Sequence, residues 1–181
     1  PNDYIISGDS GAGYVFPSAL IDTRLRALPS AADKWVDYNE PYFKRFNLDI
    51  VGFIINGTNP VTPEVMEMYN KIAPVGSMHN DRSKRLTIYK GVPYLYLQNG
   101  IDPMGADTPK EMYNFISSNL QSGINFAAFR TICNSPSQIA HCVSEFSKYA
   151  ETKDKRHNYV YVNIYTFFDL VRQSGQGKII D

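Results

Sequence analysis

Asp49-Ile50-Val51-Gly52-Phe53-Ile54-Ile55-Asn56, followed shortly by Thr62-Pro63-Glu64, is the stretch whose reading decides the fold. The run Ile50–Ile55 is apolar almost without a break and has the length of a strand. Such a run is buried on both faces, as strands are when helices cover a sheet on each side. Thr62-Pro63-Glu64 then starts a helix, with proline at its first position, where no amide hydrogen is missed. Val65, Met68, Tyr69 and Ile72 fall at i, i+3, i+4 and i+7 and trace its apolar stripe. Strand, loop and helix in that order form the unit of a parallel α/β sheet.

The pattern extends upstream. Tyr4 to Ser7 reads as a short strand that runs into Gly8-Asp9-Ser10-Gly11-Ala12-Gly13-Tyr14-Val15-Phe16-Pro17. Glycine alone reaches positive φ without penalty, so this chain must turn sharply. Asp9 and Ser10 are expected just past the strand's carboxyl end, the edge where parallel sheets place their chemistry. Residues 18–29 show no periodicity and read as a long loop. Ser30-Ala31-Ala32-Asp33 has the form of a capping box, opening a helix over Trp35, Val36, Tyr42, Phe43 and Phe46. Pro41 is expected to kink or break it.

Downstream, Pro74 to His79 reads as a strand, and Leu86 to Tyr89 as an edge strand where the βα alternation falters. Gly91 to Leu97 is the next strand, running into Gln98-Asn99-Gly100-Ile101-Asp102. Thr108-Pro109-Lys110-Glu111 and Ser135-Pro136-Ser137-Gln138 are two further capping boxes, the second leading into the stripe Ile139, Cys142, Val143, Phe146. Asn125 to Ile132 and Asn158 to Ile164 read as strands, and Thr166 to Asp169 as the cap of a last helix near Gly175. The expectation is one α/β domain over residues 1–181, with a mostly parallel sheet. Its 181 residues are short of the roughly 250 of a closed eightfold barrel. A partial or irregular (β/α) barrel, or a doubly wound sheet, fits better.

Composition narrows the function. Eighteen basic and eighteen acidic residues leave no net charge. Electrostatic attraction to nucleic acid or to an anionic membrane is therefore not the design. No apolar run reaches the ~20 residues of a membrane span. Cys133 and Cys142 show no metal-ligand spacing, no cofactor is implied, and Cys142, on an apolar helix face, reads as a buried thiol. The opening Pro1-Asn2-Asp3 has no initiator methionine or signal peptide, and the chain reads as a piece of a longer one with other domains as partners.

Polar residues follow the last apolar residue of each strand: Asp9 and Ser10, Asn56, His79, Gln98 with Asn99 and Asp102, Arg130, then Asn163 and Tyr165. Gly8, Asn56, Gln98 and Arg130 are expected along one sheet edge. No glutamate belongs to that set; Glu40, Glu64, Glu67, Glu111, Glu145 and Glu151 fall in helices. Glycoside hydrolysis generally takes two carboxylates, and Asp9 with Asp102 is the pair in view. Each has a plain alternative as a turn residue. Ser10, Tyr14, Asn56, Gln98, Asn99 and Arg130 are the substrate-binding candidates, Tyr14 as a flat platform for a sugar. Arg130 would clamp a substrate oxygen or neutralise Asp9. His79 reads as a loop histidine and Asp169 as a helix cap.

Two serine readings compete. Gly8-Asp9-Ser10-Gly11 is like the nucleophile segment of trypsin-like proteases, but all three histidines follow the serine here, against their order. Gly8-Asp9-Ser10 with Asp154-Lys155-Arg156-His157 is like a serine esterase, yet His157 precedes the last expected strand and so falls at the wrong end for Ser10.

Gly11-Ala12-Gly13-Tyr14-Val15-Phe16-Pro17 resembles the signature of the GxGYxYP family of glycoside hydrolases. Asp49 to Gly57, Phe129-Arg130, Ser135-Pro136 and Tyr165 to Leu170 resemble the same family, in order. The resemblance implies a carbohydrate substrate, hydrolysis by carboxylate acid/base chemistry, and a bacterial, secreted or otherwise extracytoplasmic protein with a TIM-barrel-like domain. The chain departs from the signature at Phe16, where it has Tyr, and at Asn56, where an acid is expected in many relatives. These departures support an alternative: a non-catalytic carbohydrate-binding or interaction module.

Overall fold

Ser7–Asp9 (β1) pairs in parallel with Ile50–Ile54 (β2), Ser7 opposite Val51 and Asp9 opposite Phe53, in a computed structural model. It describes residues 4–9, 15–21, 29–57, 59–81, 86–154 and 159–181, with the backbone but not the side chain of Asp9. The residues gather into two units, Pro1–Tyr96 with Asn163–Asp181, and Leu97–Val162.

The first unit is a six-stranded, mostly parallel open sheet. Between its strands lie the helices Pro17–Ile21 (α1), Ala32–Phe46 (α2) and Pro63–Asn70 (α3). Gly76–His79 (β3), Leu86–Tyr89 (β4) and Val92–Tyr96 (β5) follow. Ile164–Gln173 (α6) and Lys178–Ile180 (β8) close it, after the elements of the second unit. The order is β1-β2-β3-β5-β4-β8, with β4 and β5 antiparallel and the other pairs parallel. No closed barrel forms among the described residues.

Residues Ile50–Ile54 are the interior of this sheet, as their apolar run requires. Val51 and Ile54 pack with Trp35, Val36 and Phe43 of α2 and with Val65, Met68 and Tyr69 of α3. Gly76 is the register partner of Ile50, so it faces the other way, and there Phe168 of α6 lies on it. Helices thus cover both faces. Thr62 caps α3 by accepting from Val65 N, with Pro63 at the first turn.

In the second unit, Gln98–Asn99 (β6) and Phe129–Arg130 (β7) form a short parallel ladder, with the helices Thr108–Gln121 (α4) and Pro136–Lys153 (α5). Ile101, Met112, Cys142, Phe146 and Ala150 are its core. Ser135 accepts from Gln138 N at 3.3 Å while Gln138 Oε1 accepts from Ser135 N at 2.8 Å, a full capping box. Cys142 is a buried free thiol and Cys133 an exposed one.

Several expectations need correction. The first strand is Ser7–Asp9 rather than Tyr4–Ser7: Ile5 is 80% exposed, and only from Ser7 onward does β2 offer partners. Part of the expected loop at 18–29 is α1. Pro41 does not break α2, because it and Asp37, whose carbonyl loses its amide partner, are both exposed to water. The boxes at Ser30 and Thr108 do not form. Ser30 instead accepts from Ala32 N, and Thr108 Oγ1 donates to the Asp102 carbonyl at 2.6 Å. β4 is not an edge strand, since β8 pairs outside it. It turns into β5 through Lys90 and Gly91, with φ of 46° and 78°. Two positive φ values make the type I′ hairpin that interrupts the βα alternation. Residues 159–163 are not a strand; Val160 is 78% exposed. Asn163, not the Thr166 segment, caps α6 by accepting from Thr166 N at 2.9 Å. Asp169 is inside α6, paired with Arg172 at 2.8 Å. Gln98 and Arg130 belong to the β6–β7 ladder and not to the six-stranded sheet that holds Gly8.

Candidate functional site

The register of the first unit lines up its strand ends. Asp9 lies opposite Phe53, Ile54 opposite His79, and His79 opposite Tyr96. The carboxyl ends of β1, β2, β3 and β5 therefore form one row. Ser10 and Tyr14 lie outside the described residues, as do His157 and the side chain of Asp9.

Asn56, just beyond β2, is 1% exposed and fully engaged. Its Oδ1 accepts from Ser18 N at 3.0 Å and from Ser18 Oγ at 2.8 Å. Its Nδ2 donates to the carbonyls of Asn59 at 3.3 Å and Pro60 at 2.8 Å. Asn59 Nδ2 closes the network on Ser18 Oγ at 3.0 Å. An amide supplies both acceptor and donors here; an ionised carboxylate would have no hydrogen for the two carbonyls. Asn56 thus holds the connections after β1 and β2 together rather than reaching outward.

Above that network is a concavity of about 570 Å³ lined by Phe16, Ser18, Asn59, Pro60, Thr62 and Glu64 among others. Phe16 is 49% exposed and supplies a ring face. Glu64 supplies a carboxylate, held below its ordinary range by a hydrogen bond from the Thr62 side chain and a second from its own amide. In the sequence, Glu64 reads only as a first-turn helical acid. The missed signal was the short β2–α3 connection, which leaves the first turn of α3 beside the segment following β1.

At the end of β3, His79 and Asp81 form a buried pair, each side chain 3% exposed. Asp81 Oδ1 lies 3.4 Å from His79 Nδ1, the Asp81 amide donates to that nitrogen at 3.4 Å, and Asp81 Oδ2 accepts from Val61 N at 2.8 Å. His79 is therefore a strand residue with a carboxylate partner, not a loop histidine. Burial, and then the charge of Asp81, push the Tyr96 phenol up.

The second unit brings Gln98, Asn99 and Arg130 together. Gln98 pairs with Phe129 and Asn99 with Arg130, and Arg130 Nη1 donates to Asn99 Oδ1 at 3.0 Å. Asp102 follows directly. Its Oδ1 accepts from Met104 N at 3.0 Å, and its carbonyl accepts from Gly105 N and Thr108 Oγ1. That is the Asx turn that leads into α4. Among the described residues, no group of three or more His, Cys, Asp or Glu could hold a metal ion, and no helix is long and apolar enough to cross a membrane.

Among solved structures, the chain is similar to the crystal structure of a "putative hydrolase" from Bacteroides thetaiotaomicron, at 17% identity and a TM-score of 0.62. The likeness is one of fold. It covers 95% of this chain and 33% of the other, so this chain spans about a third of that protein's length. No curated protein matches it. The model of a family described as "GxGYxYP putative glycoside hydrolase C-terminal domain" matches residues 1–172. The match covers the glycine-rich segment, the whole second unit and the first unit up to nearly the end of α6, and on it the chain belongs to the GxGYxYP C-terminal domain family.

Proposed function

We propose that this chain is a carbohydrate-active domain that takes part in glycoside hydrolysis and holds sugar in the concavity after β1 and β2. The observation that carries the reading is the lining of that concavity: an exposed ring (Phe16) beside a hydroxyl (Ser18), an amide (Asn59) and an ionised carboxylate (Glu64). A sugar presents C–H faces to rings and hydroxyls to polar groups, and this set offers both. The Asn56 network fixes Ser18 and Asn59 beforehand, so little ordering remains on binding. Asp9 and Asp102 are the proposed catalytic carboxylates, and Ser10, Tyr14, Gln98, Asn99 and Arg130 further proposed contacts.

A second reading, a binding module without turnover, rests on Asn56. Where the family resemblance leads one to expect an acid after β2, this chain has an amide that is spent on Ser18, Asn59 and Pro60 and cannot donate the proton that glycosidic cleavage requires. A panel of aryl glycosides and polysaccharides, assayed for release of product and for heat of binding, separates the two. Turnover abolished by Asp9→Asn or Asp102→Asn with binding retained supports hydrolysis. Binding weakened by Glu64→Gln without turnover in any variant supports the module. Neither turnover nor binding in the wild type would remove carbohydrate from the reading.

A further inference from the structure

Helix α2 buries Trp35, Val36, Asn39 and Phe43. Beside that face, Tyr38, Tyr42, Arg45 and Phe46 fall at i, i+4, i+7 and i+8 and share one stripe of the helix. The three rings are between 49% and 60% exposed. Tyr38 and Tyr42 have centroids 5.6 Å apart with planes tilted by 45°, and the Arg45 guanidinium lies over the Phe46 ring, 5.6 Å from its centroid. We propose that this stripe is a second sugar-binding surface and that its ligand is an acidic polysaccharide, one whose chain carries uronate carboxylates. This rests on the carbohydrate reading above, but uses none of the residues that line the concavity.

The charges along the helix select that ligand. Lys34 pairs with Asp37 at 3.6 Å and Lys44 with Glu40 at 2.7 Å, so those four cancel. Among the described residues no carboxylate pairs with Arg45, whose partner is the Phe46 ring. A guanidinium keeps N–H donors along its edge in a fork that fits a carboxylate. The Tyr42 phenol is pushed up by its hydrogen bond with the Tyr38 side chain, so it stays neutral and does not repel an anion. The rings offer faces to the C–H side of a pyranose, and the two phenols offer hydroxyls to its rim. From Tyr38 to Phe46 the helix rises about 12 Å, room for more than one sugar. The tilt between the tyrosines keeps them from lying together on a flat crystalline polysaccharide and fits a single soluble chain. One guanidinium is too few for a nucleic acid, which is held through many phosphates.

The test compares oligomers of galacturonate, mannuronate and glucuronate with their own methyl esters, which keep the sugar and remove the charge. Dissociation constants are measured by calorimetry on the whole chain, at low and at physiological salt, and melting temperatures confirm that each variant folds. At least one uronate is expected to bind about fivefold more tightly than its ester at low salt, an advantage that shrinks as salt rises. Arg45→Gln is expected to erase the advantage and leave the ester's affinity unchanged. Tyr42→Ala is expected to weaken acid and ester alike, by about fivefold. Glu64→Gln, in the concavity, is expected to leave the acid-to-ester ratio as it is. No advantage for any uronate, or an advantage that survives Arg45→Gln, would overturn this inference. Neutral polysaccharides whose binding Glu64→Gln weakens would in that case leave the carbohydrate reading standing. Dimerisation in sedimentation that Tyr42→Ala abolishes would assign the stripe to a second copy of the chain and likewise overturn it. No binding of any polysaccharide, acidic or neutral, would overturn both.

Discussion

Tyr165 Oη, on α6, lies 2.5 Å from Asp49 Oδ1, the residue that leads into β2. A phenol near the end of the sequence thus donates to a carboxylate at the start of the central strand. That hydrogen bond, with burial and the charge of Asp49 behind it, pushes the phenol from its usual 10.0 up to about 12. The folded state holds the proton more tightly than the unfolded one. The contribution to stability is then complete below pH 10 and lost as pH rises through about 12. Tyr165→Phe is expected to destabilise at about pH 8, by an amount that shrinks at alkaline pH. Paired urea titrations across that range check it; a constant difference would uncouple this phenol from folding.

Asn56→Asp is expected to cost about 1–3 kcal/mol near neutrality, since the buried side chain at 56 becomes charged and the Asn59 and Pro60 carbonyls lose their donors. The loss should diminish on acidification, as the new carboxyl takes up the proton that one carbonyl can accept. Urea midpoints at about pH 4 and pH 7 measure it. Equal stability of variant and wild type at neutral pH would mean that the network is not what holds the loop.

Asp81 satisfies Val61 N and stands against His79 with almost no exposure. Asp81→Ala leaves a buried amide and a buried imidazole without this partner, and a loss of about 3 kcal/mol is expected. Thermal unfolding reads it out. His79→Gln, which keeps a polar side chain against Asp81, is expected to cost less than half as much.

Gly76→Ala is expected to destabilise by about 1–3 kcal/mol through overpacking. Its new methyl would stand 2.4 Å from the Phe168 ring. Phe168→Leu in the same background should recover part of the loss, a rescue that equilibrium unfolding of the single and double variants would detect.

The sequence was most legible where one local rule governed. Ile50–Ile54 and the helix opened by Thr62-Pro63 stand as read, because a continuous apolar run and a proline at the first turn leave few alternatives. Long-range pairing was not legible. Lys178–Ile180 became a strand only because β4 offers it a partner. Tyr159 and Tyr161 alternate with Val160 and Val162 like a strand yet find no ladder, while Asn163 diverts the chain into α6. In the site, the strand-end rule located Asn56 and His79 but not their roles. Whether an amide faces a ligand or ties two loops depends on Ser18 and Pro60, which nothing in the sequence marks as its partners. Glu64 was hidden by the opposite error, since a helical first turn explains an acid so readily.

The second unit, Leu97–Val162, interrupts the first in sequence, so the six-stranded sheet is assembled from two separated pieces of chain. On a ribosome, β1 to β5 emerge first, but β8 and α6 follow only after the whole inserted unit has been made. During that interval β4 keeps an open edge of unpaired amides and carbonyls, and the groove in which Phe168 comes to rest on Gly76 stays empty. Closing so distant a contact is slow, and an uncovered edge invites pairing with another nascent chain. Slower translation through Leu97–Val162 is therefore expected to lengthen the time that edge waits for its last strand and to lower the share of chains that reach the folded state.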